Sequence, residues 1–228
     1  MQDTRGAETS FSYGSDGRIE SKTDALGNVT RFEFEPTIHH LTKKTDPLGR
    51  EWRYIWCARG NLQMEIDPAG GVSSFTYDSH NNRLSKTDQL GRVSRWIYEP
   101  SGNYLVQAID ALGGISSFTH DSRGNLTASS DQLGRTTIFQ FDLLDRLTKT
   151  IYPDGRFVEI GYDDAGNVSF RRDNLGRETH YAHDLANRLV STTRPDGTTF
   201  TYAYNQAGEK ITETDPLNRV THFEYSPI

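Results

Sequence analysis

Short stretches of this chain alternate apolar and polar residues with period two. Thr30, Phe32 and Phe34 share one parity, and Arg31 and Glu33 share the other; Thr221, Phe223 and Tyr225 alternate in the same way with His222 and Glu224. Successive side chains of a strand point to opposite faces, so this pattern predicts strands with one apolar and one polar face. No stretch carries a helical period with its caps. Two kinds of tight turn separate the strands. One reads Asp-x-x-Gly. The other follows an aromatic or histidine, as in His120-Asp121-Ser122-Arg123-Gly124-Asn125-Leu126 and Tyr162-Asp163-Asp164-Ala165-Gly166-Asn167-Val168, and leads into a second, more polar strand. The pattern predicts about 21 strands of five to seven residues and no helix.

The Asp-x-x-Gly turn recurs along the whole chain. It begins at Asp3, Asp24, Asp46, Asp67, Asp88, Asp110, Asp131 and Asp173, with Gly6, Gly27, Gly49, Gly70, Gly91, Gly113, Gly134 and Gly176 in its fourth place. Tyr152 and Arg194 replace the Asp but keep Gly155 and Gly197, and Asp215 is followed by Asn218 in the glycine place. Starts recur every 21 or 22 positions, which gives eleven copies. Ten residues after each start stands one aromatic column: Tyr13, Phe34, Trp56, Tyr77, Tyr98, His120, Phe141, Tyr162, His183, Tyr204, Tyr225. Two residues earlier stands another: Phe11, Phe32, Tyr54, Phe75, Trp96, Phe118, Phe139, Ile160, Tyr181, Tyr202, Phe223. These 22 positions hold 19 of the 25 aromatics, where chance at 11% would place two or three.

Residue choice within the turns follows backbone conformation. Gly and Asn are the residues that most readily accept positive φ, and they fill the fourth place of every first turn. The second turn uses Gly17, Gly60, Asn81, Gly102, Gly124, Asp145, Gly166, Asn187 and Gly208, and only the copy around Ile38-His39-His40 breaks the rule. Pro47, Pro68, Pro153, Pro195 and Pro216 take the second place of the first turn. The negative φ to which proline's ring is locked is the one wanted there. The leading Asp is expected to accept turn amides. The two longer copies are expected to carry their extra residue in longer second turns, at His39-His40 and between Ser101 and Tyr104.

Composition narrows the class. Hydrophobic residues make up 34% of the 228, and mean hydropathy is −0.71, too little for an ordinary core. The aromatic content is too high for disorder. The longest apolar runs are a few residues, which excludes a membrane-spanning helix, and Met1 to Gly6 show no secretory signal. A net charge of −6 disfavours nucleic acid or an anionic membrane as main partner. The single cysteine, Cys57, excludes an internal disulfide or a cysteine zinc cage.

Tyr162-Asp163-Asp164-Ala165-Gly166-Asn167-Val168 and Asp46-Pro47-Leu48-Gly49-Arg50, recurring at fixed period, resemble the signature of the RHS, or YD, repeat family. The resemblance covers the whole chain. It implies a continuous single-chain β-sheet that spirals. In large members, among them bacterial polymorphic toxins, toxin-complex subunits and teneurins, that spiral closes into a hollow shell. In the bacterial toxins the shell encloses a toxic C-terminal segment. Those toxins end in a core region with an aspartate-based self-cleavage site and a variable toxin, neither of which is found here. The chain starts within a turn and stops in register after Tyr225, so the expectation is a segment from the middle of a larger secreted or cell-surface bacterial protein.

The expected fold is all-β: antiparallel hairpins repeating with that period and forming one curved, spiralling sheet, an open shell fragment, in a single domain over 1–228 with about ten repeats. The expected function is a non-catalytic scaffold that encloses or presents a toxin or other polypeptide. The alternative is a module binding carbohydrate or a cell surface through exposed aromatics. The aromatic columns are read as a cross-strand ladder, and the Asp column as turn caps, not a calcium ladder, because the nonapeptide calcium pattern is missing. His180 and His183, three apart on a strand, point to opposite faces and form no metal site. Cys57 lacks any sign of a nucleophile, and the hydrolase, metalloprotease and phosphate-loop motifs are absent. No catalytic residue, metal or cofactor is expected. Partners are further repeats of a larger chain, or another copy paired through the exposed edges at Phe11–Tyr13 or Phe223–Tyr225.

Overall fold

The computed structural model describes residues 8–37 and 39–225. The first turn copy, at Asp3 and Gly6, and Ile38 lie outside the described residues. The chain forms two compact units, Met1–Ser116 and Ser117–Ile228. In the first, β1 (Ser10–Tyr13), β2 (Ile19–Thr23), β3 (Val29–Phe34), β4 (Leu41–Thr45), β5 (Glu51–Trp56), β6 (Leu62–Ile66), β7 (Val72–Tyr77), β8 (Arg83–Thr87), β9 (Val93–Tyr98) and β10 (Leu105–Ile109) each pair antiparallel with the next. The second contains β12 (Leu126–Ser130), β13 (Thr136–Phe141), β14 (Leu147–Ile151), β15 (Phe157–Tyr162), β16 (Val168–Asp173), β17 (Glu178–His183), β18 (Leu189–Thr193), β19 (Thr199–Tyr204), β20 (Lys210–Thr214) and β21 (Val220–His222). They pair in the same consecutive antiparallel order, and β12 also pairs with β11 (Ile115–His120). All regular structure among the described residues is β-strand. β21 ends at His222, short of Phe223 and Tyr225: no following strand pairs with it among the described residues, although the Phe223 amide still donates to the Ile211 carbonyl at 3.0 Å.

The positive-φ column is occupied throughout. Gly91 has φ 76° and Asn218, in the same place, 61°. Each first turn among the described residues closes with two backbone bonds, as where the Asp46 amide donates to the Arg50 carbonyl and the Gly49 amide to the Asp46 carbonyl, both at 3.0 Å. The irregular second turn spans one residue more: the Glu35 amide reaches the His40 carbonyl at 2.9 Å, and His39 takes the left-handed conformation at φ 65°. The Ser101–Tyr104 turn accommodates its extra residue after Gly102, where the Glu99 amide reaches the Tyr104 carbonyl at 3.0 Å.

Every hairpin joined by a second turn carries a β-bulge in one place. Phe34 pairs with Leu41 and Glu33 with Lys43, leaving Thr42 unmatched; Gln63, Thr127, Thr148 and Val190 are skipped in the same way. Where the skipped residue is Thr42, Thr127 or Thr148, its hydroxyl donates at 3.1 Å to the carbonyl of the residue just before the aromatic or His120, that of Glu33, Thr119 and Gln140 respectively. A bulge bends a strand and raises its local right-handed twist, and here it does so once per repeat.

No hydrophobic residue among those described is buried; Asp46, Ser73 and Gly102 are, Asp46 and Ser73 still 9% and 7% exposed. The chain exposes 15323 Å², against about 10,500 Å² for a compact monomer of this mass. Stability must therefore come from half-buried faces and turn bonds, not from a closed core.

Candidate functional site

The first-turn aspartates fold onto their own loops. Oδ1 of Asp46, Asp88, Asp131, Asp173 and Asp215 accepts the amides two and four residues on, at 2.9 to 3.0 Å. Asp24, Asp67 and Asp110 do the same. In the copies that carry it, an arginine four residues on takes the other oxygen, for example Arg135 Nε to Asp131 Oδ2 at 2.6 Å. Bonds to Arg135, Arg177 and Arg188 hold the carboxyls of Asp131, Asp173 and Asp184 below the ordinary carboxylate range, against a smaller opposing effect of desolvation. Where Tyr152 and Arg194 lead the turn, the cap moves two places: Asp154 accepts the Arg156 amide at 3.0 Å and Asp196 the Thr198 amide at 2.9 Å. Gly155 and Gly197 close those turns like the rest. Among the described residues no cluster of three His, Cys, Asp or Glu could hold a metal ion.

Cys57 stands where Asp78, Asp121, Asp142, Asp163 and Asp184 stand in their second turns. The Asn61 amide, and then that of Arg59, bond to its sulfur and draw the thiol below its ordinary range, against desolvation. His180 and His183 differ as opposite faces require: the side chains are 57% and 14% exposed.

The aromatic columns sit on alternate strands. Directly across from Phe11, Phe32, Phe75, Phe118, Phe139, Tyr54, Tyr181 and Tyr202 are Lys22, Lys44, Lys86, Ser129, Thr150, Glu65, Thr192 and Glu213. Rings are thus separated by polar side chains, and cations lie over them. Arg83 lies 4.2 Å from the Trp96 centroid, Arg146 4.4 Å from Tyr162, Arg188 4.9 Å from Tyr204 and Lys210 4.4 Å from Phe223. Twelve such contacts occur among the described residues, where about three would be usual for this length. The aliphatic stems of Lys and Arg cover the rings while their heads stay wet.

Two kinds of coupling join neighbouring repeats, each in several of the copies. Trp56 Nε1 donates to the Leu41 carbonyl, and the hydroxyls of Tyr77, Tyr162, Tyr204 and Tyr225 donate to Leu62, Leu147, Leu189 and Lys210, all at 2.8 to 3.0 Å and all one strand pair back. Between successive second turns, Asn61, Asn125 and Asn167 Nδ2 donate to Asn81, Asp145 and Asn187 of the turn that follows, at 2.8, 2.7 and 2.9 Å. These acceptors are the second turns' substitutes for glycine, so the residue that tolerates positive φ also supplies the inter-turn bond.

Residues 120–156, 162–199 and 187–220 match the model of the RHS repeat family. Over 78 residues the chain is 40% identical to a "Probable deoxyribonuclease RhsB" of Dickeya dadantii (strain 3937), covering 34% of this chain and 5% of that protein. Its fold matches a structure of the Photorhabdus luminescens Tc holotoxin pore with TM-score 0.53 at 17% identity, over 94% of this chain and 15% of that one. It also matches TcdB2-TccC3 without its hypervariable C-terminal region, with TM-score 0.51, 17% identity and the same coverages. The chain thus spans a small part of the length of the proteins it matches.

Proposed function

The chain belongs to the RHS-repeat family, and from that premise we propose that it is a non-catalytic wall segment of a β-shell that encloses or presents a toxin or another polypeptide. The observation that carries this reading is a pair of couplings between neighbouring hairpins, both present in the hairpin of Tyr162 and Asn167. The hydroxyl of Tyr204 satisfies a carbonyl of the preceding repeat, and Asn167 bonds to the following turn. Such contacts specify a tile that can be added repeatedly, which is what a wall requires. The polar chemistry of the turns is consumed in holding them: the Asp caps accept their own amides and arginines. A reading in which the aromatics dock sugar rings is less well supported, because arginine and lysine already lie over the faces of Trp96, Tyr162 and Phe223. Secretion or cell-surface display belongs to the same proposal. Limited proteolysis of the intact gene product tests it. A polypeptide enclosed by the wall resists cleavage in the native protein and becomes sensitive when the repeats are destabilised. Equal cleavage in both states, or saturable binding of oligosaccharides to the isolated chain, would overturn the wall reading.

A further inference from the structure

We propose that the groove between the first turns of Asp173 and Arg194 binds a phosphomonoester, held by Arg171 and Arg194. Two departures from the repeat meet there. The column that begins at Phe11 is broken once, at Ile160, and the residue directly across from Ile160 is Arg171. In other copies a cation at that place has a ring to lie on, as Lys86 has Phe75. Isoleucine offers no such face, and the Arg171 side chain makes no ion pair, hydrogen bond or ring contact among the described residues. The leading Asp of the first turn gives way to a cation once, at Arg194, where the cap moves to Asp196. The Arg194 guanidinium lies 4.4 Å from the Phe200 centroid. A ring contact engages the face of a guanidinium and not its donors, and among the described residues those donors have no partner.

Register brings the two together. Arg171 pairs with Thr179 on β17, and His180 pairs with Thr193 on β18, so Arg194 falls opposite Thr179 from the other side. The arginines thus flank Thr179 on one face of the sheet, about 9.5 Å apart at the backbone. The open groove they line has a volume of about 520 Å³ and is walled also by Val158, Arg177 and Pro195. Its other charges are committed. Arg177 donates to Asp173 Oδ2 at 2.7 Å, Arg172 lies 2.9 Å from Glu178, and Asp196 accepts the amide and the hydroxyl of Thr198. Other grooves between first turns differ. At Asp131, the lining Arg135 and Arg156 are each bonded to an acid, Asp131 and Asp154, at 2.6 Å. Between the turns of Arg194 and Asp215, the described lining holds Asp196 and Asp215 and no arginine.

The donors select the ligand. A carboxylate has two oxygens with about four acceptor sites. Two guanidinium forks exhaust them and leave none for the Thr179 hydroxyl, which is unpartnered among the described residues. A phosphomonoester brings three strong acceptor oxygens and about −1.5 to −2 charge at neutral pH, enough for both forks and the hydroxyl, in the planar geometry that arginine recognises. Pockets for small organic molecules begin near about 300 Å³, so the groove has room for an organic body against Val158 and Pro195.

Isothermal titration calorimetry of the whole chain with phenyl phosphate at low salt tests the proposal. Saturable binding at one site per chain is expected. Benzoate, which has the same body and a carboxylate, should bind at least about tenfold more weakly. Two variants copy what sister repeats hold at these places, so the fold is kept. Arg171→Thr matches Thr150 and Thr192, and Arg194→Tyr reproduces the turn of Tyr152-Pro153-Asp154-Gly155. Each should weaken phenyl phosphate at least about tenfold, whereas Arg95→Thr, which removes the same charge from the first unit, should leave it unchanged. Absence of saturation, equal affinity for benzoate, an affinity unmoved by either variant, or binding only to vesicles of phosphatidylcholine and phosphatidic acid in equal amounts would overturn it. The wall reading does not depend on the outcome, since it rests on contacts within the sheet.

Discussion

Replacing Gly91 isolates what the left-handed turn position requires. Its φ is 76°, and a Cβ built there would meet nothing within 4 Å. Val at this site therefore clashes with no neighbour, and its cost is that of holding a β-branched residue in the left-handed region, about 1–2 kcal/mol. Asn at the same site is the internal control. The chain itself places Asn218 in the equivalent position at φ 61°, with its amide donating to the Asp215 carbonyl at 3.0 Å. Gly91→Asn should cost no more than a few tenths of a kcal/mol, since Asn is among the residues that visit this region routinely. Urea unfolding followed by tyrosine and tryptophan fluorescence measures both. Because repeats can unfold in stages, the comparison should use midpoints at matched slope. Equal losses for Val and Asn would refute the conformational argument, as would a Val variant indistinguishable from the wild type.

Acid should weaken the fold through the capped aspartates. The native carboxyls of Asp131, Asp173 and Asp184 titrate below the ordinary value of 3.8, so below about that pH the unfolded chain binds more protons and stability falls. Their contribution is fully present above it and is lost as pH drops through the native values; Arg135→Gln should flatten this acid limb in melts recorded at falling pH. The aromatic tips should also be separable from their rings. Tyr204→Phe removes the bond to the Leu189 carbonyl and should cost about 0.5–1.5 kcal/mol, whereas Tyr225→Phe, at a 49% exposed edge residue, should cost less in the same urea series. Identical losses would count against an inter-repeat role for the hydroxyl.

The parts of this fold that depend on one residue's own backbone were legible in the chain. Gly or Asn in the fourth place of each turn announces positive φ, because few other residues accept it. The strand faces were legible because Phe32 and Phe34 share a parity that Arg31 and Glu33 do not. The bulge was not, since it is a property of register. Nothing about Thr42, Gln63 or Val190 as residue types distinguishes a skipped position, and only the pairing of the adjacent strand does. The couplings from Tyr204 to Leu189 and from Asn167 to Asn187 were missed for a similar reason: they require knowing which turns and strands are neighbours. A signal was nonetheless present, for Asn81, Asp145 and Asn187 depart from glycine in the second turns that follow those of Asn61, Asn125 and Asn167. The displaced caps at Asp154 and Asp196 could also have been read from Pro-Asp-Gly replacing Asp-Pro-x-Gly. What covers the rings was hidden, because cross-strand neighbours such as Lys44 and Thr150 are fixed by the register of the hairpin, which the skipped residue shifts.

The lack of a buried core has a consequence for how such a sheet can serve as a wall. A globular domain loses cooperativity if it is lengthened past the reach of its core. Here hairpins are held by their own turns and, in many copies, by cations over their rings and by bonds to a neighbouring hairpin. Stability then grows by an intrinsic amount plus a neighbour amount for every repeat added. The bulge supplies the other requirement. A flat sheet of many strands encloses nothing, but one bend inserted at the same residue of each repeat gives every tile the same added twist. The tyrosine tip ties that bend to the next tile, because the carbonyl it bonds, such as that of Leu62 or Leu189, belongs to the residue just before the skipped one. Curvature and cohesion are therefore set by the same pair of residues. A substitution there should alter the pitch of the sheet as well as its strength, whereas one in the Asp caps should alter strength alone.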